Sequence, residues 1–424
     1  MFKINEITAV TDGKVIPEKP EAQISGISTD SRTVEPGELF IPLVGERFDG
    51  RKFIPAVLKK GAFVLKVRDG LKALQALAAC HRAKFKIPVV GVTGSVGKTT
   101  TKDMLASILS QEFPTLKNEE NLNNELGVPL TLLKLTKKHR AAVIEMAMQR
   151  LGEIEELAKI VKPTIAVITN IGEAHLKFLK TKRNVAKAKM EIFKYLTRKD
   201  FAVINADDEY FEHLMSNVQC PMSNVVTFGI LEKAEVTPKD LEGIKLPVPG
   251  EHNIYNALAA IAAAKILKIK RKSIKQGLEK FRPSSRRMEI IDLPDGIRII
   301  NDTYNANPQS MEAALKVLVT SRGSCLPAGR SRVAGHFRRI AVLGNMLELG
   351  SKARSAHRRI LRFARDLKID KIYTFGDLWP KLSVNWKSKK TLIKNLKKFI
   401  RPRDIILIKG SRGMKMEEVV DALR

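Results

Sequence analysis

Cysteine is scarce in this chain of 424 residues: only Cys80, Cys220 and Cys325 occur, far apart. That argues against a disulfide framework or a zinc site and fits a reducing cytoplasm, the expected location. No run of 18 apolar residues appears, so no membrane-spanning helix is expected. The opening MFKINEI lacks the apolar stretch of a signal peptide. Aromatics make up only 6%, too few for a stacking platform interleaved with basic residues. Acids are outnumbered, 45 Asp and Glu against 75 Lys and Arg, giving a net charge of +30. Such an excess could serve a nucleic acid, an anionic membrane or acidic small substrates. It could also simply coat solvated faces. The basic residues are spread along the chain, which favours this last reading. No stable nucleic-acid or membrane partner is therefore expected, and a monomer is.

What is present is an ordinary globular composition, 44% hydrophobic, in a chain too long for one core. The fold class expected is α/β in three domains. Residues 1–86 hold short strand-like pieces, turn signals and a helical stretch near Leu71 to Cys80, as a small α/β unit. From 87 to 283, short β-branched apolar runs at 88–92, 141–146, 164–170 and 201–205 alternate with helical patterns. Such near-continuous runs suit parallel strands buried on both faces. From 284 to 424 the alternation resumes, at 296–301, 339–344, 371–375 and 404–409, as a Rossmann-like unit. Ligands in such sheets sit at the carboxyl ends of strands. Residues 320–338, rich in Gly, Ser and Arg and without acid, read as an inserted basic loop.

The segment GVTGSVGKTT at 91–100 follows an apolar run and precedes an amphipathic one, so it reads as strand, turn and helix. Gly94, Ser95, Val96, Gly97 and Thr100 would offer backbone N–H groups and a helix N-terminus to a polyphosphate. Lys98 would reach the terminal phosphates and the Thr99 hydroxyl a Mg²⁺. The strict pattern wants glycine six residues before the lysine. Val92 stands there, so the match is the shortened GxxGKT.

Further blocks follow in order: NLNNELGVPLT at 121–131, IEM at 144–146, IGEAH at 171–175, AKAKMEI at 186–192 and GEHNIYNALAA at 250–260. Then come SRRME at 285–289, NDTYNANPQSM at 301–311, AVLGNMLELG at 341–350 and IKGSR at 408–412. In this order the set resembles the Mur ligases, the ATP-dependent amide-forming enzymes of peptidoglycan precursor synthesis. The TGSxGKT, NLNN and DTYNANPQSM blocks resemble the branch that adds D-alanyl-D-alanine to UDP-N-acetylmuramoyl-tripeptide. STDSR at 28–32, PGELF at 36–40 and GERFDG at 45–50 are similar to the N-terminal region of that branch and of the third-residue-adding one.

The resemblance implies ATP, two Mg²⁺ ions and those two substrates, with catalysis resting on Lys98, Glu145, His175, Lys189 and Arg287. ATP would turn a carboxylate, a poor electrophile, into an acyl phosphate that an amine then attacks. The site must neutralise like charges and hold the groups in line. Thr99, Glu145 and His175 would hold Mg²⁺ directly or through water; His175 also reads as a hydrogen-bonded loop histidine. Lys189 matches a lysine that CO₂ carbamylates, becoming an anionic oxygen ligand; its plainer reading is a surface lysine. Asn253 and Asn256 match the adenine-side block, or a capped polar first turn. Arg287 matches a γ-phosphate contact with suitable fork geometry, and Asp302 an acid near ribose and phosphates. Asn121, Asn123, Asn124, Tyr304, Asn305 and Asn307 are expected on the substrate side. Asp30, Ser31 and Arg32 match the UDP-sugar end, though Asp and Ser also favour turns. Lys409 and Arg412 are candidates for the C-terminal edge of the cleft.

Three departures stand out. Asn345 occupies a position where the family more often has Asp. The stretch between Phe228 and Gly250 is short, so hairpins are expected to be trimmed. The 320–338 insertion is the third. The rivals are a third-residue-adding Mur ligase, a folylpolyglutamate-type synthase and a basic P-loop ATPase that binds nucleic acid. The block at 304–308 speaks against the first two.

Overall fold

The computed structural model describes residues 2–46, 48–119, 121–321, 337–380 and 384–424. The short N-terminal pieces are β1 (Lys14–Ile16), β2 (Ile27–Ser28), β3 (Leu39–Phe40), the hairpin strands β4 (Val44–Gly45) and β5 (Phe48–Asp49), and β6 (Phe63–Lys66). Four of them make a sheet in the order β1-β6-β3-β2, parallel except for β1. The helix Gly70–Ala83 follows, capped by Asp69, which accepts from the Lys72 amide at 3.0 Å. Its apolar stripe Leu74, Leu77 and Ala78 is fully buried. That stripe joins one apolar cluster that also holds Leu116, Ile144, Ile154 and Leu157. The apolar core therefore runs straight across residues 86 and 87.

The central strands are β7 (Val89–Thr93), β8 (Thr115–Lys117), β9 (Ala141–Glu145), β10 (Ile165–Ile168), β11 (Phe201–Asn205) and β12 (Val225–Phe228). They pair in the order β12-β11-β10-β7-β9-β8, all parallel. Alternate residues feed opposite cores: Ala142 and Ile144 one, Ala141 and Val143 the other. This two-sided burial is why the strands read as continuous apolar runs. The chain passes from β7 to neighbours on both sides, so a crevice opens at the carboxyl end of β7. The helices Lys98–Leu109 and Glu251–Ile266 cover one face, the latter buried through every residue from Ala257 to Ala264.

The third sheet contains β13 (Glu289–Asp292), β14 (Arg298–Asp302), β15 (Arg339–Gly344), β16 (Lys371–Phe375), β17 (Val384–Trp386) and β18 (Ile405–Lys409). Its order is β13-β14-β18-β15-β16-β17, parallel except for the β13 edge. The α/β class with largely parallel sheets is as expected. The pattern of apolar runs missed β8, β12, β13 and β17. They are short outer strands, buried on fewer sides, so their composition carries less signal. Between Phe228 and Gly250 the chain makes a 3₁₀ turn, Pro238–Leu241, and no strand. Of the basic segment 320–338, residues 322–336 lie outside the described residues.

Candidate active site

The turn after β7 is shaped by two glycines that no other residue could replace cheaply. Gly94 has φ +152°, and a Cβ there would lie 1.8 Å from Thr169 Oγ1. Gly97 has φ +87°, and its Cβ would lie 2.1 Å from Asn256 Oδ1. The loop is fastened to the chain after β10. The Ser95 amide donates to Asn170 O at 3.0 Å and the Val96 amide to Asn170 Oδ1 at 3.1 Å. The Gly172 amide donates to Ser95 Oγ at 2.8 Å. No side chain caps the helix Lys98–Leu109, so its first N–H groups face the crevice.

Two lysines converge on one carbonyl. Lys98 Nζ donates to Gly94 O at 2.9 Å and Lys189 Nζ donates to the same oxygen at 2.7 Å. Burial lowers the Lys98 ammonium below its usual range, although Glu145 opposes this. Burial pushes Lys189 well below its usual range, and the neighbouring Lys98 charge adds to the effect. Lys189 is 2% exposed, so the surface-lysine reading fails. It is the helix Lys182–Met190, started by Thr181 accepting from the Asn184 amide, that carries it inward.

Beside them, Thr99 Oγ1 donates to Glu145 Oε2 at 2.7 Å, and Asn123 Nδ2 donates to Glu145 Oε1 at 2.8 Å. The buried Glu145 and Thr99 are adjacent oxygen donors, which suits a hard cation. Among the described residues no group of three His, Cys, Asp or Glu could hold a metal by itself. That donor set fits Mg²⁺, which is usually shared between few carboxylates and substrate phosphates. His175 Nδ1 instead sits 2.9 Å from Glu348 Oε2, and this pairing holds the Glu348 carboxyl below its usual range. Lys189 Nζ donates to Gly94 O and offers Mg²⁺ no oxygen; only an added carboxylate would supply one.

The cavity at this crevice, about 230 Å³, brings together Ser95–Thr100, Asn123, Glu145, His175, Asn253, Asn256, Arg287, Asp302, Tyr304, Asn305, Asn307 and Lys409. A neighbouring cavity of about 600 Å³ extends past Val96, Asn170, His252 and Asn256. Asn253 Nδ2 donates to Pro249 O at 2.7 Å, and Asn256 Nδ2 to Asn253 Oδ1 at 3.1 Å. The helix cap is Gly250, so neither asparagine is the cap. Lys409, 2% exposed, donates to Asp302 Oδ2 at 2.6 Å and Asn305 O at 2.8 Å. Its charge holds the third sheet's loops. Asn307 caps the helix Pro308–Thr320, accepting from the Ser310 amide at 2.8 Å.

Other expected residues are not in this cavity. Asn124 accepts from the Gly127 amide at 2.9 Å and starts a helical turn. Asn121 accepts from the Tyr304 hydroxyl. Arg412 is exposed, 3.4 Å from Glu417. Asp30 closes a turn by accepting from the Arg32 amide and guanidinium, which hold its carboxyl down at about 2. That turn and the β4–β5 hairpin leave the carboxyl ends of the neighbouring strands β2 and β3. His252 and Glu348 line this cavity and were not foreseen. His252, driven down to about 4 by burial, adjoins Asn253 in the same block. Glu348 lies in the 341–350 block, where the acid was visible but its reach to His175 was not.

Sequence and structure comparisons meet this geometry. The description "Mur ligase middle domain" matches residues 92–264, "Mur ligase, glutamate ligase domain" 286–412, and "Mur ligase family, catalytic domain" 23–92. The UDP-N-acetylmuramoyl-tripeptide–D-alanyl-D-alanine ligase of Bacillus subtilis is 34% identical, covering 96% of this chain and 94% of that protein. The chain belongs to the Mur ligase family. Among solved Mur ligases, a MurF of Acinetobacter baumannii superposes with a TM-score of 0.89 at 31% identity, covering 100% of this chain and 98% of that one. A MurF ligase of Thermotoga maritima in complex with ADP gives 0.81 at 27%, covering 93% and 96%. Among the described residues, no helix of this Mur ligase is long and apolar enough to cross a membrane.

Proposed function

We propose that the chain is an ATP-dependent ligase that joins D-alanyl-D-alanine to UDP-N-acetylmuramoyl-tripeptide, in the cytoplasm and as a monomer. The observation that carries this reading is the convergence of Lys98 and Lys189 on Gly94 O, beside an uncapped helix N-terminus and the Thr99–Glu145 pair. Full-length likeness to relatives of that name supports the choice of substrates.

In this reading the tripeptide carboxylate attacks the γ-phosphorus of ATP, releasing ADP and leaving an acyl phosphate. The dipeptide amine then attacks the acyl carbon, phosphate departs, and the amine loses its proton. Mg²⁺ shared by Thr99, Glu145 and the phosphates would neutralise charge on the transferred group. Lys98 and Arg287 hold the same phosphates from opposite sides of the crevice. Burial and the Lys98 charge push the Lys189 ammonium well below its usual range, toward the neutral form that a reaction with CO₂ requires. Its amine nitrogen would bond to the CO₂ carbon and lose a proton, giving a carbamate that, with His175 released from Glu348, would supply ligands for a second Mg²⁺. Asn253 and Asn256 read adenine edges, and Asp302 faces the ribose. Asn121, Asn123, Asn305 and Asn307 line the side where the peptides meet, and Asp30, Ser31 and Arg32 the UDP end. Three working units are proposed, 1–86, 87–283 and 284–424, each built around one main sheet.

The test is phosphate release from ATP and Mg²⁺ with UDP-N-acetylmuramoyl-tripeptide, with and without D-alanyl-D-alanine, plus the product mass. Dipeptide-dependent release with a UDP-pentapeptide product is expected. Release only with a free amino acid and a shorter UDP-peptide would move the chain to the third-residue-adding branch.

A further inference from the structure

Arg287 approaches the crevice on a turn that its own backbone does not favour. Both flanking residues lie in the left-handed region, Arg286 at φ +64° and Met288 at φ +52°. For non-glycine residues such angles persist only where neighbours enforce them. The enforcing contacts come from the strand-end segment 302–304. The Tyr304 amide donates to Arg286 O at 3.0 Å, and the Met288 amide donates to Asp302 Oδ1 at 3.2 Å. The guanidinium carbon of Arg287 lies over the Tyr304 ring, 3.6 Å from its centre. Arg287 Nε is buried and has no hydrogen-bond partner among the described residues. Among the described residues no carboxylate is ion-paired with this cation, so the ring is what steers it. The far end of Tyr304 is also engaged: its hydroxyl donates to Asn121 Oδ1, across the crevice on the central unit.

We propose that Tyr304 is a positioning residue. Its ring seats Arg287 against the transferred phosphate, and its hydroxyl adds a secondary tie from that seat to Asn121 on the central unit. The inference rests on the reading of Arg287 as a phosphate contact. A peptide-binding role, the one the sequence suggests for Tyr304, would make no use of this stacking.

The test is a double-mutant cycle on the full-length protein, following ATP turnover with saturating substrates after the wild-type reaction has been established. Tyr304→Leu is expected to lower kcat at least 20-fold with KM for ATP changed less than threefold. Tyr304→Phe keeps the ring and is expected to retain at least a third of kcat. Arg287→Ala lowers kcat steeply. In that background Tyr304→Leu is expected to cost less than threefold more, because its partner is already gone. Multiplying losses, equal impairment of the Phe and Leu variants, or a rise confined to KM for the dipeptide would overturn the proposal. Thermal unfolding of each variant separates misfolding from misalignment. A wild-type protein without turnover would instead point to failure of the underlying functional reading.

Discussion

At the scale of single residues, what a side chain does here depends on what surrounds it more than on its type. Lys189 shows this best. Its block was readable, but the sequence presents only a lysine in a polar helix. Burial beside Lys98 is a tertiary effect, and it is what pushes the ammonium well below its usual range, toward the neutral amine. We expect Lys189→Ala to lose at least 90% of turnover at ordinary Mg²⁺. Wild-type turnover should fall in CO₂-free buffer and return with bicarbonate; unchanged rates in both experiments would refute carbamylation. Asn345 is a second case. Its amide donates to Asp377 Oδ1 at 2.8 Å, in a site where Asn345 is 3% exposed. Asn345→Asp would set two carboxylates at that distance, so one must keep its proton. A carboxyl pKa raised by folding costs stability as pH rises above about 4, its unfolded value. Thermal scans should show the variant weaker than wild type at pH 8, with the gap closing toward pH 4. The structure thus gives the amide a local reason: the neighbouring charge is already supplied by Asp377.

At the scale of elements, the strands were legible wherever they are buried on both faces, and so were the turns whose chemistry demands particular residues. Gly94 and Gly97 were visible because a phosphate turn needs them. The reason they cannot change lies in partners 75 to 159 positions away, Thr169 and Asn256. Gly97→Ala should cost about 1–3 kcal/mol of stability from the strained φ alone. It should also weaken ATP binding at least tenfold, since Asn256 must move aside. Denaturant unfolding and calorimetric titration read the two effects separately. Edge strands such as β17 carry too few buried positions to announce themselves. His252 was passed over for another reason: it stands among polar residues of one helical turn, and only its surroundings set it apart.

At the scale of the whole molecule, the central and third units meet through polar contacts. The Lys177 amide donates to Glu348 O at 3.0 Å, and Ser284 Oγ donates to Asp103 Oδ2 at 2.7 Å. Arg359 Nη2 lies 2.8 Å from Glu173 Oε2 across the junction, while its Nε lies 3.4 Å from Glu312 Oε1 within the third unit. Such pairing was invisible in the sequence because it joins residues far apart along the chain. Arg359 is half exposed, so its pairs contribute about 0–1 kcal/mol. Arg359→Ala should barely change the unfolding temperature while lowering kcat about two- to fivefold. Small-angle scattering should report a larger radius of gyration for the variant; an unchanged radius with normal kcat would dismiss the contact as incidental. The N-terminal junction is of the opposite kind. Leu74 and Leu77 sit in one apolar cluster with Ile144 and Leu157. In terms of descent, a gene rearrangement could exchange the last third of this protein and leave two folded pieces. A cut near codon 86 would bare a greasy seam on both products, so those two units are inherited together.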